Sequence, residues 1–404
     1  MAILDGDARY MENFASYVTL HYRHRFNLYT FTGAETLVEY VRSAGADIVL
    51  VGADECGEWI SRLESGLLIL LSSGAPSADA SPEANGGADP TGASHGAFNA
   101  GNIERVDRYS GADKLVSDIL RIYTRSDRPS MDTDAINGGR ENKIIAVFSA
   151  EGGSGRTSVA IALCSHFAKL KFRTVYIGLD LLGAGDFAFE GEKDGGLSDI
   201  IYTIKTRPDR LGLKLEALGK SAPGHGFYYF SSPLYPMDID EIQPSDIEVL
   251  IARLRGAGLY DRIVIDTCSG LSLKNKALME LIDGIYIIAG ASASSYKKLM
   301  LFKEQIDKCF SGQASSVYRR CHIIVNGSRI TDARFGAAIP PGYAGEFVGG
   351  QDLISKTEEI AGAFSAKATA IPFCADICDE YSPELLADMS NSFGAALAEI
   401  ARRA

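Results

Sequence analysis

The sequence predicts an α/β protein made of two parallel-sheet domains in succession. Three observations carry this expectation. Short continuous apolar runs, among them DIVLV at 47–51, LLILL at 67–71, KIIAVF at 143–148 and IVID at 263–266, have the character of strands covered on both faces. Amphipathic stretches of helical period lie between them, the signature of βαβ units. A polar stretch at 126–142, SDRPSMDTDAINGGREN, separates two such series and is the expected linker.

In the first series Ala2 to Leu4 is a short apolar strand running into Asp5 and Asp7. A helix is expected from about Tyr10 to Arg23, a strand from Phe26 to Phe31 and a helix from Glu35 to Ser43. The strands Asp47–Val51 and Leu67–Leu71 follow. Residues 75–100 are rich in Gly, Ala, Ser, Pro and Asp and nearly free of bulky apolar side chains, so they read as a flexible insertion that cannot offset its ordering entropy. A last helix is expected from about Ala112 to Tyr123, which gives domain boundaries of 1–125, 126–142 for the linker and 143–404 for the second domain.

The bulk numbers narrow the function classes. A length of 404 residues allows a sizeable core in each domain. A formal net charge of −12 argues against non-specific nucleic-acid binding, which needs clustered cations on phosphates. No apolar run approaches the ~20 residues that cross a bilayer, and Met1 to Asp7 has no secretory character. The seven cysteines are scattered and odd in number, which suits reduced thiols in a cytoplasmic setting; the spacing of Cys374 and Cys378 is weak support for a metal.

The chemistry of the second domain begins where the strand KIIAVF runs into Ser149-Ala150-Glu151-Gly152-Gly153-Ser154-Gly155-Arg156-Thr157-Ser158, followed by an apolar helical stretch from Val159 to Phe167. Strand, Gly-rich loop, helix is the context of a phosphate-binding loop. Glycines let backbone N–H groups close around phosphate oxygens, and the helix N-terminus adds its positive end. Gly152, Gly153, Ser154, Gly155, Arg156, Thr157 and Ser158 are therefore the candidate nucleotide-binding residues, with Thr157 offering its hydroxyl to Mg²⁺. Arg156 stands where such loops carry Lys; it keeps the charge but is planar and forked. The alternative is a Gly-rich turn that holds no ligand.

Three later features have NTPase spacing. The strand TVYIGL at 174–179 delivers Asp180, a candidate for orienting an attacking water, with Asp186 a few residues on. The strand IVID ends in Asp266, a candidate for the Mg²⁺ shell through water. The strand HIIVN at 322–326 ends in Asn326, whose amide has the chemistry to read a base.

Residues 143–404 resemble the MinD/ParA class of P-loop ATPases, whose loop is usually KGGxGK followed by Ser or Thr. The loop Glu151 to Thr157, the YDRIVIDT segment from Tyr260 to Thr267, the segment DGIYIIAGASASS and the late Ile371-Pro372 carry the likeness. The resemblance implies ATP with Mg²⁺ as ligand, and a segment near Pro372 lining the adenine. The first domain resembles a response-regulator receiver of flavodoxin-like fold. Asp5 and Asp7 match its acidic residues, and Arg108 stands roughly at its lysine position. Gly52 takes the place of the phosphoacceptor, so phosphorylation is expected to be lost and a two-component response regulator is disfavoured.

An atypical receiver joined to a MinD/ParA-like ATPase resembles the TadZ/CpaE proteins of tight-adherence (Flp type IV) pili. The resemblance implies a polar, cytoplasmic localisation factor that works as a homodimer. It would recruit the pilus assembly and secretion machinery, with no specific nucleic acid and only indirect association with the membrane. Two departures point to slow or absent hydrolysis. Glu151 replaces the signature Lys that reaches a partner's phosphates, and Gly178 replaces the first acid after the second strand. Glu151 is expected to pair with Arg156 or to turn out to solvent. The competing reading is an active MinD/ParA-type switch cycling on a membrane or DNA. The terminal stretch Pro383 to Ala404 disfavours it, because it reads as one helix packed on its own core with Arg402 and Arg403 as its basic residues.

Overall fold

A computed structural model of the chain describes residues 1–22, 26–63, 67–73, 103–126, 142–180, 189, 196–328, 350–372, 374 and 383–404. The expected insertion at 75–100, nearly all of the expected linker, Asp186 and Cys378 lie outside the described residues. The chain divides into two compact units, Met1–Ala135 and Ile136–Ala404.

The first unit is built on strands β1 (Ala2–Leu4), β2 (Tyr29–Phe31), β3 (Ile48–Gly52), β4 (Leu67–Ser72) and β5 (Glu104–Asp107). They form a parallel sheet in the order β2-β1-β3-β4-β5, a doubly wound order with a switch point between β1 and β3. The central runs are buried because helices cover the sheet, as their unbroken apolar character demands. The first helix, Ala8–His21, starts earlier than the apolar pattern indicates because Asp7 caps it, accepting from the Tyr10 N–H at 3.0 Å. The strand expected over 26–31 shortens to Tyr29–Phe31, an edge strand paired only to β1 among the described residues.

The second unit has an eight-stranded sheet in the order β13-β12-β11-β6-β10-β7-β9-β8. Its strands are β6 (Lys143–Ser149), β7 (Thr174–Gly178), β8 (Lys220–Ser221), β9 (Tyr228–Tyr229), β10 (Arg262–Asp266), β11 (Gly284–Gly290), β12 (Cys321–Ser328) and β13 (Lys367–Pro372). All neighbours are parallel except β8 and β9, so the sheet is mixed only at that edge. Two apolar clusters pack on its faces; one holds the Arg156–Lys169 helix, whose residues from Val159 to Phe167 are buried throughout. Such a helix is apolar all round because it is enclosed by sheet and neighbouring helices.

The single C-terminal helix expected from Pro383 divides into Pro383–Ala387 and Ser392–Arg403. Asp388 takes the Ser390 N–H at 2.8 Å and Asn391 caps the next helix by accepting from the Gly394 N–H at 2.7 Å. These side chains satisfy backbone donors locally and compete with helix continuation. Leu386, Phe393, Leu397 and Ile400 are buried on the unit's core as expected, whereas Met389, in the break, is exposed.

Candidate functional site

The carboxyl ends of β6, β7, β10 and β12 gather the candidate residues. The loop after β6 needs glycine twice: Gly153 has φ +73 and Gly155 has φ +86, both in the left-handed region. Gly155 is also closely approached, since a Cβ there would stand 2.2 Å from Asn326 Nδ2. At Gly152 and Gly153 a Cβ would meet nothing within 4 Å, so the backbone presents an open edge. The helix then begins at Arg156, three residues before the apolar pattern does, with Gly155 at its cap. The Ser154 hydroxyl is buried and has no hydrogen-bond partner among the described residues. Open glycines, a helix N-terminus and an unspent buried hydroxyl fit a phosphate group.

Arg156 is bonded within the protein through two of its nitrogens. Its Nε donates to Asp266 Oδ1 at 2.9 Å and its Nη1 donates to Ser149 Oγ at 2.8 Å. The Thr157 hydroxyl donates to Asp266 Oδ2 at 2.6 Å, and the Tyr176 hydroxyl donates to the same oxygen at 3.0 Å. Asp266 is thus gripped by three protein donors at 0% exposure. Burial pushes its carboxyl above the usual range and the nearby Asp180 charge adds to this, while Arg156 and Thr157 pull the other way. The expected Mg²⁺ pair, Thr157 and Asp266, is brought together, but in direct hydrogen bonding and with a guanidinium on the second carboxylate oxygen.

The register explains why Tyr176 can reach. Gly178 pairs with Asp266 across β7 and β10. Tyr176 shares a strand face with residue 178, and a Cβ at 178 would come within 3.2 Å of its hydroxyl. The missing first acid and the tyrosine on Asp266 therefore go together.

Glu151 meets neither expected fate. Arg156 is committed to Asp266 and Ser149, and Glu151 Oε2 instead accepts from Lys298 Nζ at 2.7 Å. Lys298 stands on the helix Ala293–Cys309. Partial burial works against ionisation of Glu151, yet hydrogen bonds from Lys298 and Ser295 and the Lys298 charge bring its pKa below the ordinary value. Asn326, expected near a base, donates from Nδ2 to the Ser154 carbonyl at 2.9 Å and so braces the loop. Pro372 ends β13 opposite Ser328, half-buried. Asp180 is buried just beyond β7. Ser158 lies in the first turn of the helix, half-buried.

Sequence reasoning passed over Ser149, Tyr176 and Lys298. Tyr176 carried a faint signal, being two residues before Gly178 on a strand ending at the site. Lys298 carried none, since 147 residues separate it from Glu151.

In the first unit Asp5 and Arg108 also meet. Arg108 Nη2 donates to Asp5 Oδ1 at 3.1 Å in a buried pair, and Asp7 lies 3.7 Å from the same nitrogen. The guanidinium also stacks on Tyr10 at 4.8 Å. A Cβ at Gly52 would approach Asp5 Oδ2 to 2.8 Å.

No protein-family model matches the chain, and no curated protein matches it. Among solved structures it is similar to apo McdA from Cyanothece, at 16% identity and a TM-score of 0.50, covering 65% of this chain and 99% of that one. It is also similar to the McdA–ATP complex from Cyanothece, at 16% identity and TM-score 0.49 over 66% and 96% of the two chains. A ParA family ATPase from Chlorobium tepidum TLS follows, at 16% and 0.48 over 65% and 98%. The likeness to apo McdA concerns the α/β fold alone and extends over 65% of this chain. Among the described residues no helix is long and apolar enough to cross a membrane.

Proposed function

We propose that this chain is an ATP-binding localisation and scaffold protein of tight-adherence pilus assembly, with slow or absent hydrolysis. The observation that carries the ATP reading is the loop from Gly152 to Ser158. It joins an open glycine edge, a helix N-terminus and an unspent buried hydroxyl at Ser154. Backbone N–H groups there would hold the phosphates, Arg156 would add charge, and Pro372 at the end of β13 would border the adenine. Three features support slow turnover. Arg156 is turned onto Asp266, Glu151 is paired within its own chain, and Gly178 leaves Asp180 as the acid beyond β7 for orienting water.

The scaffold reading rests on the first unit, where Gly52 closes the carboxyl end of β3 and Asp5 is held in a buried pair with Arg108. A domain that has lost its chemistry keeps its docking faces. A homodimer at a cell pole, in contact with pilus assembly proteins, completes the proposal.

Equilibrium binding of ATP to the purified chain tests the site. Gly155→Ala forces a Cβ into Asn326 and a left-handed backbone onto alanine, so it should weaken binding about tenfold or more. Unchanged affinity in that variant places the nucleotide elsewhere. Multiple-turnover phosphate release should be slow, and sedimentation should show the same dimer with and without ATP. Fast turnover, or dimerisation only on adding ATP, returns the protein to the switching ATPases. Deleting the gene should abolish piliation; intact pili would remove the pilus assignment.

A further inference from the structure

A divalent cation held at Thr157 and Asp266 needs an oxygen of Asp266 that faces it. Mg²⁺ is octahedral and demanding, and even when held through water it requires an acceptor that its hydration shell can reach. A carboxylate has about four lone-pair sites. Three of them are taken here, by Arg156 Nε, Thr157 Oγ and Tyr176 OH, and Asp266 has 0% exposure. The donor set therefore does not fit a metal held at Asp266.

One positive charge already stands beside this carboxylate. Arg remains charged at every working pH, so the guanidinium 2.9 Å from Asp266 Oδ1 is a permanent cation. Nε and Nη1 use two of the five N–H donors of the fork, on Asp266 and Ser149, and the other three carry no hydrogen bond among the described residues. A metal ion on the Thr157 oxygen would also sit beside that guanidinium, because both groups bond one carboxylate. Tyr176, reaching Asp266 over Gly178, fixes the carboxylate toward the protein.

We propose that Arg156 is the built-in counter-ion of this loop, and that the nucleoside triphosphate is held without a divalent cation. This rests on the reading of Gly152 to Ser158 as the ATP site and goes further in naming the ionic form of the ligand. Arg156 acts by contact with phosphate, and Tyr176 and Ser149 act as positioning residues for Asp266 and Arg156.

The test is equilibrium binding of ATP to the full chain by calorimetry, once with excess MgCl₂ and once with excess chelator. The expected result is the same affinity within about threefold. Arg156→Met keeps an apolar stem but frees Oδ1 of Asp266, and should make binding depend on Mg²⁺ by about tenfold or more. If Arg156→Met does not fold, Arg156→Lys serves, since a point charge cannot serve Asp266, Ser149 and phosphate together; its Mg²⁺ dependence should exceed that of the wild type. Wild-type binding that falls tenfold or more in chelator, in line with the metal site expected from the sequence, overturns the counter-ion role and leaves the ATP site standing. Absence of binding under both conditions overturns the ATP site itself, and this inference with it.

Discussion

Replacing Arg108 with Met tests whether the first unit has exchanged signalling chemistry for a fixed ion pair. The Asp5 and Arg108 side chains are 2% and 9% exposed, with Nη2 and Oδ1 3.1 Å apart. Asp5 Oδ1 also accepts from the Asp7 N–H at 2.9 Å, whereas Oδ2 has no hydrogen-bond partner among the described residues. Asp5 thus depends on Arg108 for its charge balance. Removing one member of a buried pair costs about 3–5 kcal/mol, because the other charge is left uncompensated. The chain's single tryptophan, Trp59, lies in the buried core of the first unit, so its fluorescence reports that unit within the full protein. With a urea slope of about 2 kcal/mol/M, the loss lowers the Trp59 midpoint by roughly 1.5–2.5 M. Asp5→Asn combined with Arg108→Met should recover about half of this or more, since no charge is then stranded. Gly52→Asp should not restore an acceptor. Its Cβ would meet Asp5 Oδ2 at 2.8 Å, which costs about 1–3 kcal/mol by overpacking, and like-charge repulsion adds to this. Neither the wild type nor Gly52→Asp should take phosphate from acetyl phosphate. An Arg108→Met midpoint within about 0.3 M of the wild type, or acylphosphate in either protein by mass spectrometry, refutes the reasoning.

Two further outcomes follow from the second unit. Glu151→Lys brings an ammonium against Lys298, which now bonds the carboxylate at 2.7 Å; because Lys298 is about half exposed, the cost should be modest, about 1 kcal/mol in a thermal scan. Exchanging both charges, with Lys298→Glu added, should restore the wild-type Tm, and a neutral single substitution would show that the pair does nothing. His166 and His322 are both held at about 4, first by burial and then by neighbouring Lys169 and Lys367. The unfolded chain protonates them near 6.5, so between about 6.5 and 4 the unfolded state binds more protons and stability falls as pH falls. Each histidine contributes at most about 1 kcal/mol per pH unit in the middle of that window, because neither is wholly shielded from solvent. Urea unfolding followed by circular dichroism should show a slope that His166→Gln and His322→Gln each reduce by that amount; an unaltered slope excludes them as its source.

The sequence alone determined what local chemistry determines. The runs DIVLV, LLILL and KIIAVF announced covered parallel strands because an unbroken apolar run suits a strand with helices on both faces. The glycines of the 152–155 loop announced a backbone able to close around a phosphate without a Cβ in the way; that Gly153 and Gly155 do so through positive φ came from the structure. Helix starts were misjudged where a cap, not periodicity, sets the boundary, as at Asp7 and Gly155. Tertiary structure alone decided the partners of the charges. From sequence Arg156 had the phosphates or Glu151 to choose from; the fold offers it Asp266 from β10 and Ser149 at the end of β6. Glu151 found Lys298, and Arg108 found Asp5 across 103 residues. Which charges meet depends on strand order and register, and in a parallel sheet residues distant in the chain converge at one edge. Pairing of buried charges is enforced there by desolvation, a cost that appears only once the sheet has closed around them.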